Sequence, residues 1–152
     1  MAGMYFYPAK PKPNTGVFLS DVSQTIVPGS PLIMASGYLQ VAASGQASLF
    51  GFAASYATSG GSEHLPVVVW LADDYNTFYG NSKAVNIAAT VVGTSVDIDL
   101  TTTVWSIDTE ASTDDLFVVL GKHPRDSWAK AAATTVLEVK VRCSQLMQRT
   151  AG

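Results

Sequence analysis

Cysteine is nearly absent. Cys143 stands alone in 152 residues, so no internal disulfide can form and a cysteine-based zinc site has no second thiolate. Histidine is almost as scarce: His64 and His123 are the only side chains that titrate near neutral pH. Neither has a partner at metal-ligand spacing, so no metal and no cofactor is expected. Charge is the third deficit. Lys, Arg, Asp and Glu make up 14% of the chain, where about 25% is usual. A solitary molecule so thinly ionised would show water an unusually neutral exterior, a solubility hazard that a covering of other protein removes. The net charge of −3 also leaves no general basic footprint for nucleic acid or an anionic membrane.

Long unbroken apolar runs are missing too. Val22 to Ser62 contains no Asp, Glu, Lys or Arg, but Pro28, Pro31 and six glycines from Gly29 to Gly61 cut it into pieces. Each piece is well under the ~20 apolar residues of a spanning helix. Met1 to Pro8 lacks a basic start followed by an apolar core, so no secretory signal is read there. A soluble protein made in the cytoplasm is expected. There is no phosphate-binding glycine loop, no dinucleotide fingerprint, no Gly-x-Ser-x-Gly elbow and no repeat of fixed period.

What is present is the pattern of a β protein. Apolar residues reach 47%, enough for one domain with an ordinary core. Leu32–Met34 and Tyr38–Val41 flank Ser36-Gly37 as a hairpin, and Val27-Pro-Gly-Ser-Pro31 carries a Pro-Gly turn. Leu65–Leu71 is the strongest β-branched run and reads as buried on both faces after an edge-like Pro66. Val96, Ile98 and Leu100 alternate with Asp97, Asp99 and Thr101, and Leu137, Val139 and Val141 alternate with Glu138, Lys140 and Arg142. Val104–Ile107 and Leu116–Leu120 supply further strands. Asp126–Ala133 alone looks helical, with Asp126 as N-cap. The expected fold class is all-β, a mainly antiparallel barrel or sandwich with one or two short helices. Residues 1–16, with Pro8, Pro11 and Pro13 and the cluster Tyr5-Phe6-Tyr7, read as an extended N-terminal arm. Residues 17–147 form the single domain and 148–152 a tail.

Charge is unevenly spread. Residues 71–121 hold eight acids and one lysine, whereas 122–152 hold six bases and two acids. Such asymmetry either guides neighbouring subunits head to tail or amounts to solvated faces of opposite sign on one domain. Candidate chemistry is thin. Ser127-Trp-Ala-Lys130 matches the spacing of a serine–lysine acyl enzyme but lacks the companion motifs. Asp97 and Asp99 share a strand face and, with His64, are the residues a hydrolase would use. Trp70, Trp105 and Trp128 would be the platforms of a carbohydrate-binding β-sandwich, with Trp70 and Trp105 read as core and Trp128 as exposed. No catalytic set emerges, and a non-enzyme is expected.

Val27-Pro-Gly-Ser-Pro-Leu-Ile33, Ser36-Gly-Tyr-Leu-Gln-Val41 and Leu49-Phe-Gly-Phe-Ala-Ala54 together resemble the β core of the head decoration, or capsid cement, proteins of tailed phages. Phe78, Val104-Trp-Ser-Ile-Asp108 and Leu116-Phe-Val-Val119 are similar to longer head accessory proteins. The resemblance implies a β-tulip-like domain that forms a homotrimer on the outside of the phage head, in the virion, and clamps the major capsid protein. It also implies an arm that adds a strand to a neighbour. On that reading the candidate capsid and subunit interface residues are Tyr5, Phe6, Tyr7, Lys10, Lys12, Val17 and Phe18. A head-fibre or tail-base component is the alternative within the virion.

Overall fold

The computed structural model describes residues 6–73, 75–101, 104–142 and 146. The chain is built almost wholly of antiparallel strands, as its period-two segments predict. One sheet takes β2 (Thr15–Leu19), β4 (Pro31–Ala35), β5 (Tyr38–Val41), β6 (Gly51–Ala53) and β8 (Pro66–Leu71) in the order β2-β8-β6-β4-β5. The other takes β1 (Tyr7–Pro8), β9 (Phe78–Asn81), β10 (Ser95–Thr101), β11 (Val104–Asp108), β12 (Phe117–Lys122) and β13 (Val136–Val141), ordered β1-β9-β13-β12-β10-β11. A two-stranded ribbon pairs β3 (Thr25–Ile26) with β7 (Ala57–Thr58). Both larger sheets curl. In the first, β2 meets β5 at the bridge Ser20–Leu39; in the second, the end of β9 meets β11 at Ser82–Ile107. The N–H of Lys83 donates to the Ile107 carbonyl at 2.8 Å and fastens that second seam.

The expected hairpin forms at Ser36-Gly37. Both residues take positive φ, 51° and 86°, the backbone that a two-residue hairpin turn matching strand twist requires. Two apolar clusters follow from strand alternation. Phe52, Phe78, Val96, Ile98, Ile107, Phe117, Val119, Leu137 and Val139 lie in the larger, between the sheets. Ile26, Leu32, Leu39, Phe50, Val67 and Val69 lie in the smaller, inside the curl of the first sheet.

Three expectations change. First, the described part of the proposed arm is built into the domain. Phe6 is 1% exposed, with its ring 4.9 Å from Phe52 and 5.6 Å from Phe117. Tyr7–Pro8 pairs with β9, Ala9 donates to the Thr77 carbonyl, and Thr77 donates back to Lys10. The cause is apolar burial: a phenylalanine ring gains more between two sheets than in water. Gly80 makes the space, since a Cβ there would lie 2.5 Å from the Phe6 ring.

Second, residues 126–133 are a series of turns, and among the described residues the one helical element is a single 3-10 turn at Ala89–Val91. Ala129 has φ 58°, which breaks any right-handed helix through it, and its N–H is held by the Ile87 carbonyl at 2.7 Å. Asp126 does cap, but it serves the next strand: its carboxylate accepts from the Val136 N–H at 2.7 Å as well as from Ser127. Third, Leu65–Leu71 is buried throughout on one face, while the other is covered only at Trp70. Val67 and Val69 are fully buried, whereas Val68 is 36% exposed.

Phe6→Ala should lower stability by about 3–5 kcal/mol in chemical denaturation, the usual cost of emptying a buried phenylalanine site. An arm that merely reached outward would cost almost nothing on the same substitution. Ala129→Gly should raise the melting temperature, by a gain of up to about 1 kcal/mol, because glycine adopts positive φ without a Cβ clash.

Candidate functional site: an apolar edge face

The residues that would do chemistry are occupied in holding the fold. Asp97 is 5% exposed, and its carboxylate accepts from the backbone N–H groups of Thr113, Asp114 and Asp115 at 3.1, 3.1 and 2.9 Å. It is the clamp of the 108–115 loop. Asp99 accepts from Thr101, Ser44 and Lys83, and the Thr101 hydroxyl and the Lys83 ammonium hold its carboxyl below the usual range. Lys83 is shared with Asp108 at 3.6 Å, and its hydrogen bond to Asp99 raises its pKa. A carboxylate pushed down and an amine pushed up are poor proton shuttles near neutrality.

His64 lies elsewhere, at the seam of the first sheet. Its ring stacks on Tyr38 with centroids 3.8 Å apart, and Nδ1 donates to the Ser20 carbonyl at 2.9 Å. His123 Nδ1 accepts from the Arg125 N–H at 3.1 Å. The three hydrolase candidates are thus engaged with separate partners. Ser127 and Lys130 do not share a helix face, because no helix forms, and Lys130 pairs with Asp126. Among the described residues no group of three or more His, Cys, Asp or Glu could hold a metal ion. Two open depressions, one along residues 84–95 and 109–112 and one beside Lys83 and Trp105, are lined by none of Asp97, Asp99, His64 or His123.

The tryptophans are drawn toward the core. Trp105 is 4% exposed and in the core, as read, while Trp70 and Trp128 are half-buried against it. Trp128 was expected at the surface; the turn at Ala129 folds it inward.

The candidate interface residues divide. Tyr5 lies outside the described residues. Phe6 is in the core. Tyr7 is half-buried beside Tyr79, with ring centroids 5.3 Å apart, and burial, Tyr79 and Asp126 all raise its pKa. Lys10 lies 3.8 Å from Glu138, whose other oxygen accepts from Thr77 at 2.8 Å. Phe18 packs edge-on against Phe50. Lys12 and Val17 are exposed, and Val17 is the most open of the apolar strand residues at 65%.

Val17 belongs to a surface that sequence reading only partly reached. Strand pairing sets Val17 opposite Val68 and Leu19 opposite Pro66, all four exposed on one face of the β2–β8 pair. One row further along, Thr15 faces Trp70 and Trp70 faces Phe52, where the second sheet covers the surface. The apolar strip is therefore the uncovered continuation of an interior face. Its edge is open as well. Val68 bonds away from β2, accepting from Ala54 and donating to Ser55 Oγ, while the Asn14 carbonyl accepts from Leu71 and the N–H of Ser20 donates to Leu65. The even-numbered residues 14 to 20 thus face β8. Thr15 and Val17 point their backbone groups outward, where they meet no partner among the described residues. Pro66 reads as edge-like, but Leu19 and Val68 escape a sequence reading because a continuous apolar run carries no mark of which face a second layer will cover.

No family model, no curated protein and no solved structure matches this chain. Among the described residues no helix is long and apolar enough to cross a membrane.

Asp97→Ala should cost about 2–4 kcal/mol, since it removes the charged acceptor of three backbone N–H groups at residues 113–115. A protease susceptibility assay should show the 108–115 loop opening first. Asp99 and Asp126 set the acid response. In Asp126 burial raises the pKa, but Lys130 and the N–H groups of Val136 and Ser127 outweigh it, so the folded value is depressed. A depressed folded pKa means that the unfolded chain takes the proton first. The stability from both groups is complete above the unfolded pKa of about 4 and is lost as pH falls through the folded values. Unfolding followed from pH 7 to pH 2 should show that loss, and Asp126→Asn should reduce it.

Proposed function

We propose that this chain is a structural virion component, a capsid decoration protein that binds the outer surface of a tailed-phage head and stabilises contacts between major capsid subunits as a homotrimer. The observation that carries the reading is the strip of Val17, Leu19, Pro66 and Val68 beside an open strand edge. Full burial of each valine or leucine is worth about 1.5–3 kcal/mol, and the edge adds main-chain hydrogen bonds to a partner strand. Three such strips on one trimer would act together, so that a modest single contact holds firmly through effective concentration. The low charge and the engaged state of Asp97, Asp99 and both histidines support the same conclusion.

The role given to an N-terminal arm moves to this strip. Phe6 cannot serve as an anchor for a neighbour without leaving the core.

The test is co-sedimentation with expanded heads of the phage whose genome encodes the chain. The double substitution Val17→Lys with Val68→Lys should leave the melting transition in place, because both side chains are exposed, and should weaken head binding at least about a hundredfold. Undiminished binding by this variant, or no binding by the unaltered chain, overturns the proposal.

A further inference from the structure

The outer edge of β2 is bare, whereas other edge strands of the two sheets carry covers. At β1, Pro8 has no N–H to expose, and the N–H of Phe6 donates to the Gly29 carbonyl at 3.2 Å. On β5 the Leu39 carbonyl accepts from Asp21, and the N–H of Val41 donates to Gln24 Oε1 at 3.0 Å. On β11 the Ile107 carbonyl accepts from Lys83. β2 has none of the devices that usually protect an edge. From Asn14 to Ser20 there is no charged residue and no proline, and the pairing with β8 runs without a register shift.

The strand is also fixed in its orientation. Phe18 packs on Phe50 inside the curl of the sheet, and a Cβ on Gly16 would lie 2.7 Å from the Phe18 ring. With the even-numbered residues bonded to β8, the N–H and C=O groups of Thr15 and Val17 stay directed outward, beside the exposed side chains of Val17 and Val68. The bridge between Ser20 and Leu39 closes the edge further along. The open stretch is therefore short, from Thr15 to Val17.

We infer that its occupant is an extended, uncharged strand of the partner protein, which joins the first sheet as the outer neighbour of β2. This deepens the decoration reading and rests on it, the partner there being the major capsid protein. Two donors and two acceptors repeat along the edge with the spacing of a strand ladder, which another extended backbone matches. A helix bonds its own backbone groups and has none to give along its length. A helix or a folded surface lying on the strip would bury these four groups without partners, at a cost that strand pairing removes. An apolar residue of the arriving strand opposite Val17 would continue the row that Val17 and Val68 begin.

Hydrogen exchange of the unaltered chain, free and bound to expanded heads, tests this mode. The Thr15 and Val17 amides should exchange quickly in the free chain and slow at least about tenfold on heads. Thr15→Pro and Val17→Pro each delete one outward N–H and no bond to β8. Each should keep a cooperative melting transition and weaken head binding about tenfold. Head binding with both amides still fast overturns the inference, as does full-strength binding by both proline variants; the strip and the decoration reading survive either result. Slowing of the same amides in the free chain as its concentration rises, with dimers in sedimentation, gives the edge to a second copy and also overturns it. Failure of the unaltered chain to bind heads removes the decoration reading, and the inference falls with it.

Discussion

Phe6 sits where the two sheets meet, and the arrangement depends on what its ring fills. Phe52 comes from the first sheet, Phe117 from the second, and Gly80 gives up its side chain so that the ring can lie against β9. Phe52 in turn contacts Phe78 with centroids 4.4 Å apart, so four rings from four segments form one packed group. Aromatic pairs at such spacings add to area burial and fix orientation. With that group in place, the face bearing Trp70 and Phe52 is covered and the face bearing Val17 and Val68, further along the same strands, is left bare. The position of the covering sheet thus determines the bare strip.

The polar interior follows the same economy. Asp97 is buried because three backbone donors need it, and Glu138 because Thr77 and Lys10 meet it on the outer face of β13. No buried side-chain nitrogen or oxygen among the described residues lacks a hydrogen bond. A fold that engages its few charged groups internally has few left to display. The exterior that remains consists of loops and an apolar edge with few unpaired charges.

The strands were legible wherever alternation was regular. Val96–Leu100 and Leu137–Val141 are strands as read, though Asp97 and Glu138 on their polar faces are buried, and the hairpin at Ser36-Gly37 forms. Legibility failed where tertiary contact overrode local preference. Asp126–Ala133 has a cap and good helix formers, yet Trp128 packs on the core and Ala129 turns left-handed to let it do so. The proline-rich start looked like an arm because proline excludes interior strands, but Pro8 needs no inward N–H at the edge beside β9. Glu138 alternates with valines like a solvent-facing residue, and only the packing of residues 9–10 and 77 over it accounts for its burial. Of the candidate site, Val17 and the edge-like Pro66 could be found from sequence; Leu19 and Val68 could not, since pairing register and layer coverage are properties of the assembled sheets.

Phe6 also bears on how the chain matures during synthesis. Its ring partners lie at residues 52 and 117, so during synthesis this segment waits for more than a hundred further residues before its destination exists. Such a fold is rich in contacts distant along the chain, which places it among slow-maturing topologies. Until residue 117 has emerged, the first sheet carries an uncovered aromatic face and is exposed to misassociation. Translation speed and chaperone supply would then set the yield of usable copies.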